Sequence, residues 1–136
     1  MTASSKQVAV TSDPAAELAA YVNAVRNSKG RPALKRSKKL DKAASRHAND
    51  MSKRGYFSHQ APDGTMPRAR TLRAGYRACL VAENISYRWP TPEQAVNGWM
   101  KSPKHREIML LRDVTEFGVG HAPGDFWVLV VARPGC

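Results

Sequence analysis

Cysteine is scarce in this 136-residue chain: Cys79 lies in mid-sequence and Cys136 is the last residue. Two readings follow, a single bridge that anchors the C-terminus and persists only in an oxidising compartment, or two free thiols. A bridge would add about 4 kcal/mol in the chain-entropy view. Long apolar runs are missing as well, so no segment is suited to cross a bilayer as a helix. The opening stretch MTASSKQVAV lacks the apolar core of an export signal, so an exported form would be a mature or trimmed chain. Acidic residues are few: 11 Asp and Glu stand against 22 Lys and Arg, a formal net charge of +11. That balance favours anionic partners such as nucleic acid, acidic lipid headgroups or cell-surface polymers. No stretch is dominated by one residue type, which excludes repeats, collagen-like segments and low-complexity regions. There is no HExxH motif, no Gly-rich phosphate loop and no pair of histidines at zinc-finger spacing.

What is present suffices for one domain with one core: 42% of residues are hydrophobic, including three Trp, four Tyr and three Phe. Residues 1–12 are small and polar and are expected to be disordered, with a single domain over 13–136. Charge is uneven, because the ten basic residues from Lys29 to Arg54 face only Asp41 and Asp50. Without interleaved aromatics this stretch reads as a solvated helix face rather than a nucleic-acid surface.

Helix signals come in order along the chain. Asp13, Pro14 and Gly30 are cap, first position and stop of one helix, with Leu18, Tyr21, Val22 and Val25 on its apolar face. A second helix is expected from Ser37 to Arg54, with Leu40, Ala44, His47 and Met51 on one stripe and the lysines opposite. His47 on that stripe reads as a core histidine bonded to a backbone carbonyl. Pro62, Asp63 and Gly64 mark a loop, Thr65 to Ala74 a short helix ended by Gly75, and a β-type run surrounds Glu83. Thr91, Pro92 and Gln94 form a capping box, and Ser102 with Pro103 repeats the cap-then-proline pattern before His105. FGVGH and FWVLVVA read as a β-hairpin whose second strand, apolar throughout, is central. Helices first and strands last predict an α+β layered domain, helices covering an antiparallel sheet. Trp99 and Trp127 read as core, Trp89 as partly exposed, and His121 as a strand-end residue. Ser58 beside His59 suggests a hydrolase pair only superficially, because FSH has no nucleophile-elbow glycines.

Four motifs in order, YFSHQAPDG, AENI, WMKSPKHR and FGVG, resemble the CAP superfamily of cysteine-rich secretory proteins, antigen 5 and pathogenesis-related proteins. The likeness is to its bacterial single-domain secreted members and spans residues 14–132. It implies a three-layer α-β-α sandwich with a central antiparallel sheet and a cleft lined by two histidines and two acids. In some members the histidines hold zinc or another divalent ion. Carried over by position, His59 matches the first histidine, Glu83 the first acid and His105 the second histidine. The second acid is expected at position 102, which is Ser102; Glu116 is a rival placed at the wrong spacing.

With one acid missing, His59, His105 and Glu83 form the candidate metal set, Glu83 the candidate catalytic group, and Ser102 and Asn84 cleft residues. Lys101, Lys104 and Arg106 nearby would weaken the binding of zinc or any other divalent ion. The alternative for Glu83 is a hydrogen bond to the backbone or to a histidine. Three functions compete. The first is a secreted or periplasmic, monomeric, non-enzymatic binding module for an anionic ligand, lipid or cell-envelope component. The second is a zinc-dependent hydrolase of peptides or phosphodiesters using His59, His105 and Glu83. The third is a basic domain binding anionic polymer or nucleic acid, with nucleic acid not favoured.

Overall fold

Strand β4 (Phe126–Pro134) runs through the middle of the protein, antiparallel to β3 (Glu116–Ala122) on one side and to β2 (Ala78–Ser86) on the other. The computed structural model describes residues 13–136; the stretch 1–12, expected to be disordered, lies outside the described residues. The expected antiparallel sheet is thus present in its three long strands. A two-residue strand, β1 (Lys35–Arg36), adds a parallel partner to β3, giving the order β1-β3-β4-β2. Two exposed basic residues carry no alternating pattern, which is why the sequence gives no sign of β1.

Helices cover both faces. On one side α1 (Pro14–Ser28), α4 (Pro92–Lys101) and α5 (Pro103–Met109) bury Leu18, Val22, Val96 and Trp99 against Phe117, Val119, Leu129 and Val131. On the other, α2 (Lys38–Arg54) buries Leu40, Ala44, Ala48 and Met51 against Val128, Val130 and Ala132. The alternation along β4 sends odd residues to the first layer and even residues to the second, as a period of two requires. The result is the α-β-α sandwich.

Helix α2 begins and ends as expected: the Ser37 side chain accepts from Leu40 N, and Gly55 closes the helix in the left-handed conformation at φ 70°. It lies unusually close to β3. A Cβ on Gly118 would collide with the Leu40 carbonyl carbon and Asp41 N, and one on Gly120 would stand 2.6 Å from the Ala44 carbonyl carbon. The glycines of FGVG therefore serve backbone-to-backbone packing. Asp41 completes the contact, its Oδ1 accepting from Val119 N (3.0 Å) beyond the end of the short β1, and from Arg36 Nε (2.9 Å).

Helix α3 (Pro67–Arg73) starts later than the expected Thr65. Asp63 Oδ1 accepts from both the backbone N (3.0 Å) and the hydroxyl (2.8 Å) of Thr65, holding that residue in a turn. At the far end of the first layer Arg26 is 1% exposed, and its guanidinium donates to the carbonyls of Pro32, Met109 and Leu111 at 2.9–3.0 Å. It satisfies open carbonyls at the C-terminal end of α5, a task the sequence did not reveal. Cys79 and Cys136 form a disulfide, with Cα atoms 5.1 Å apart and a sequence separation of 57.

Candidate functional site

Strand β2 is an edge strand, and its C-terminal end opens into a cleft of about 460 Å³. Phe57, Ser58 and His59, on the loop after α2, form one wall. Trp99, Ser102 and His105, where α4 meets α5, form the other. The structure thus brings together His59, His105 and Ser102, three residues that the motifs nominated. A larger hollow of about 610 Å³ beside Arg31 and α5 contains none of the nominated residues.

Glu83 stands behind this surface. Its side chain is 1% exposed, and it does not line the cleft. His59 Nδ1–H donates to Glu83 Oε1 (2.8 Å), while Arg70 Nη2 donates to both carboxylate oxygens (3.1 and 3.0 Å). Arg70 is itself 9% exposed and gives a second N–H to the Thr65 carbonyl (3.1 Å). A carboxylate that only accepts puts a proton on His59 Nδ1, so in the neutral tautomer the lone pair is on Nε2. Arg70 escaped the sequence reading, since PRARTLR looks like a surface helix and nothing local marks one arginine as buried.

His105 is held differently. Its Nδ1 is 2.8 Å from Ser102 Oγ, and its carbonyl accepts from Asn84 Nδ2 (2.9 Å). Ser102 was expected to cap α5. It occupies the N-cap position with extended backbone but makes no side-chain cap bond, because its hydroxyl is spent on the imidazole. Asn84, fully buried on β2, fastens α5 to the sheet rather than lining the cleft. Partial burial lowers the proton affinity of His105 below that of an ordinary histidine, and His59 nearby lowers it further. Near neutral pH the ring is therefore uncharged.

The other candidates lie elsewhere. His47 is 1% exposed, and its Nε2–H donates to the Ser58 carbonyl (2.8 Å), as its place on the apolar stripe implied; its Nδ1 is buried without a partner. His121 pairs with Asp125 (3.0 Å) and packs on Trp127. Glu116 accepts from the Tyr76 hydroxyl (2.8 Å) and lines no part of the cleft. Ser58 Oγ accepts from Gln60 N (3.1 Å). Among the described residues no three His, Cys, Asp or Glu side chains form a group that could hold a metal.

The sequence also missed the character of the cleft mouth. Phe57, Tyr87 and Trp89 are 36–44% exposed there. Arg88 between the last two has φ 74°, a left-handed conformation that costs about 1 kcal/mol or more in a non-glycine residue. Its N–H reaches the Asp125 carbonyl (3.0 Å), and its guanidinium lies 4.9 Å from the centre of the Tyr87 ring.

The family model described as the cysteine-rich secretory protein family, CAP, matches residues 19–132. The chain belongs to this family. Among relatives of the CAP domain, the uncharacterized protein YkwD of Bacillus subtilis is 34% identical over 106 residues, covering 77% of this chain and 41% of YkwD. The solved structure of an extracellular SCP-domain protein from Bacillus anthracis is 27% identical with a TM-score of 0.83, covering 86% of this chain and 39% of that one. An outer surface protein of Borrelia burgdorferi shares the fold at 20% identity and a TM-score of 0.80, covering 87% of this chain and 90% of that one. The CAP domain described here spans less than half the length of the two Bacillus proteins. Among its described residues no helix is long and apolar enough to cross a membrane.

Proposed function

We propose that this CAP domain acts outside the cytoplasmic membrane, secreted or periplasmic, as a binding module without chemistry of its own. The names of two structural relatives, an extracellular protein and an outer surface protein, support the location, and an oxidising compartment suits the Cys79–Cys136 bridge. One observation carries the reading of the cleft. Glu83, the acid of the nominated set, has both oxygens engaged by Arg70 and His59 and is closed to solvent. The hydrolase alternative needs Glu83 to take a proton from water, and Glu83 is not free to do so.

The donor chemistry fits a divalent ion in part. Zinc would be held by His59 and His105, through the ring nitrogens that Glu83 and Ser102 leave unengaged, with Glu83 orienting His59 as an outer-sphere carboxylate. Two nitrogens without a protein carboxylate make a weak site, open to exchange, where the ion would supply a Lewis acid to a ligand oxygen. A second reading adds to this one. Lys38, Lys39, Lys42 and Arg46 stand on the basic side of α2, while Asp41 and Asp50 are already paired with Arg36 and Arg54. That face suits an anionic envelope polymer, with retention that weakens as salt rises.

Zinc titration by calorimetry, run beside peptidase and phosphodiesterase assays on the same samples, tests the cleft. The expected result is weak saturable binding that disappears in the His59→Ala/His105→Ala variant and fades below about pH 6, as imidazoles take up protons, with no turnover. Equal binding by both proteins removes the histidine site. Zinc-dependent turnover lost on Glu83→Gln makes the protein a hydrolase instead.

A further inference from the structure

The cleft has a composition unlike the rest of this protein. In a chain with a net charge of +11, none of its lining residues is Lys, Arg, Asp or Glu. Its polar side chains are three serines, two histidines and the hydroxyl of Tyr87, and Ser86 Oγ is buried behind the surface without a hydrogen-bond partner. Its apolar groups are mostly aromatic. Of the five large apolar side chains exposed among the described residues, Phe57, Tyr87 and Trp89 border this one opening.

These rings are braced. Phe57 and Tyr87 have ring centres 4.5 Å apart, and Tyr87 stacks on Phe126 at 5.6 Å with planes 18° apart. The Trp89 ring lies against Gly98, where a Cβ would come within 3.2 Å of its Nε1, and the Trp89 carbonyl accepts from Trp127 Nε1 (2.7 Å). Gly98 thus lets the indole lie close against α4. Rigid, half-exposed aromatics that the core could not bury are the usual anchors of a binding surface.

Deepening the binding role proposed above, and resting on it, we propose that the cleft takes a neutral saccharide. A pyranose ring stacks its C–H face on Trp89, and its hydroxyls bond to the open nitrogens of His59 and His105 and accept from the exposed Ser58 hydroxyl, which still has its proton to give. A sugar presents both surfaces at once, an apolar face and a rim of hydroxyls that donate and accept. An acyl chain would leave the two open imidazole nitrogens unmatched, and a polyanion would find no Lys or Arg in the lining. The volume of about 460 Å³ lies within the range of small-ligand clefts, roughly 300–1,000 Å³.

The test is titration of the disulfide-bonded protein, with EDTA present, against chitotetraose and cellotetraose, followed by tryptophan emission and calorimetry. Trp127 lies outside the cleft lining and Trp99 in its wall is buried, so the part of the emission shift that Trp89→Ala abolishes is the part that reports Trp89. The expected result is saturable binding to at least one tetramer, unchanged between about 50 and 500 mM salt. Trp89→Ala and Phe57→Ala should each weaken it by about tenfold while leaving the melting temperature near that of wild type, since both side chains are half exposed. Three results overturn the proposal: neither tetramer binds at about 10 mM, far weaker than any useful affinity; the two variants bind as well as wild type; or a proline-rich peptide binds through Trp89 while the sugars do not. Zinc binding by the histidine pair without sugar binding sinks this proposal alone. Loss of both sinks the binding role of the cleft.

Discussion

Replacing Arg70 with methionine removes the guanidinium on which both Glu83 oxygens lean while keeping much of the side chain's apolar stem. The pair is buried, with Arg70 9% and Glu83 1% exposed, so solvent screens it little. Removing one partner strands a carboxylate that only His59 still bonds. Breaking such a pair costs about 3–5 kcal/mol, a large share of the roughly 5–15 kcal/mol by which a domain is stable. At about 3–5 °C per kcal/mol for a domain of this length, the melting temperature should fall by roughly 10–25 °C. Urea unfolding followed by far-UV circular dichroism measures the change, the midpoint falling with an unchanged slope. Arg70→Met combined with Glu83→Gln should recover much of the loss, because no charge is then left without a partner. A cost below about 1 kcal/mol, the value of an exposed pair, would refute the reasoning, as would a double variant no better than Arg70→Met.

Two further outcomes follow from the same structure. Reduction of the disulfide, or Cys136→Ser, should lower stability by about 4 kcal/mol for the 57-residue span it closes; an unchanged urea midpoint with and without reductant would count against the bridge. Acid should also weaken the fold. Burial lowers the proton affinity of His47, with Glu83 opposing the shift and Arg70 adding to it, and burial likewise lowers that of His105, with His59 reinforcing it. The unfolded chain therefore binds more protons than the folded one, and stability present above about pH 6.5 is lost as pH falls below it. His47→Gln, which can still donate to the Ser58 carbonyl, should flatten this slope, and an identical slope in the variant would show that His47 is not responsible.

Much of the fold is legible in local chemistry. Caps, prolines at first helical positions and stop glycines depend on a few adjacent residues, and α1, α2 and α4 begin where those signals stand. The apolar run of β4 announces its central place for the same reason. The missed features depend on partners distant in sequence. Arg26 looks like a surface charge until α5, more than eighty residues on, brings its carbonyls to it. Arg70 becomes buried only when α3 packs on β2 and meets Glu83. At the site, the motifs gave His59, His105 and Ser102 as neighbours, and they share one cleft. They could not show that Glu83 stands behind it, because a match by position fixes where a residue sits on its strand and not which group claims its oxygens.

The buried polar side chains explain why this cleft is rigid. Six polar or charged residues are buried among those described, and three of them grip the walls of the cleft: His47 holds the Ser58 carbonyl, Glu83 holds His59, and Asn84 holds the His105 carbonyl. Burying such groups gains little net stability over well-packed apolar residues, so their clustering is poorly explained by stability alone. What they do share is the fixing of two short wall segments, residues 57–59 and 102–105, on opposite sides of an edge strand. Trp99 adds a fourth tie through its bond to the Ile85 carbonyl (3.1 Å). A surface held in this way loses little entropy when a ligand arrives, which is the condition under which a small, uncharged cleft can bind usefully.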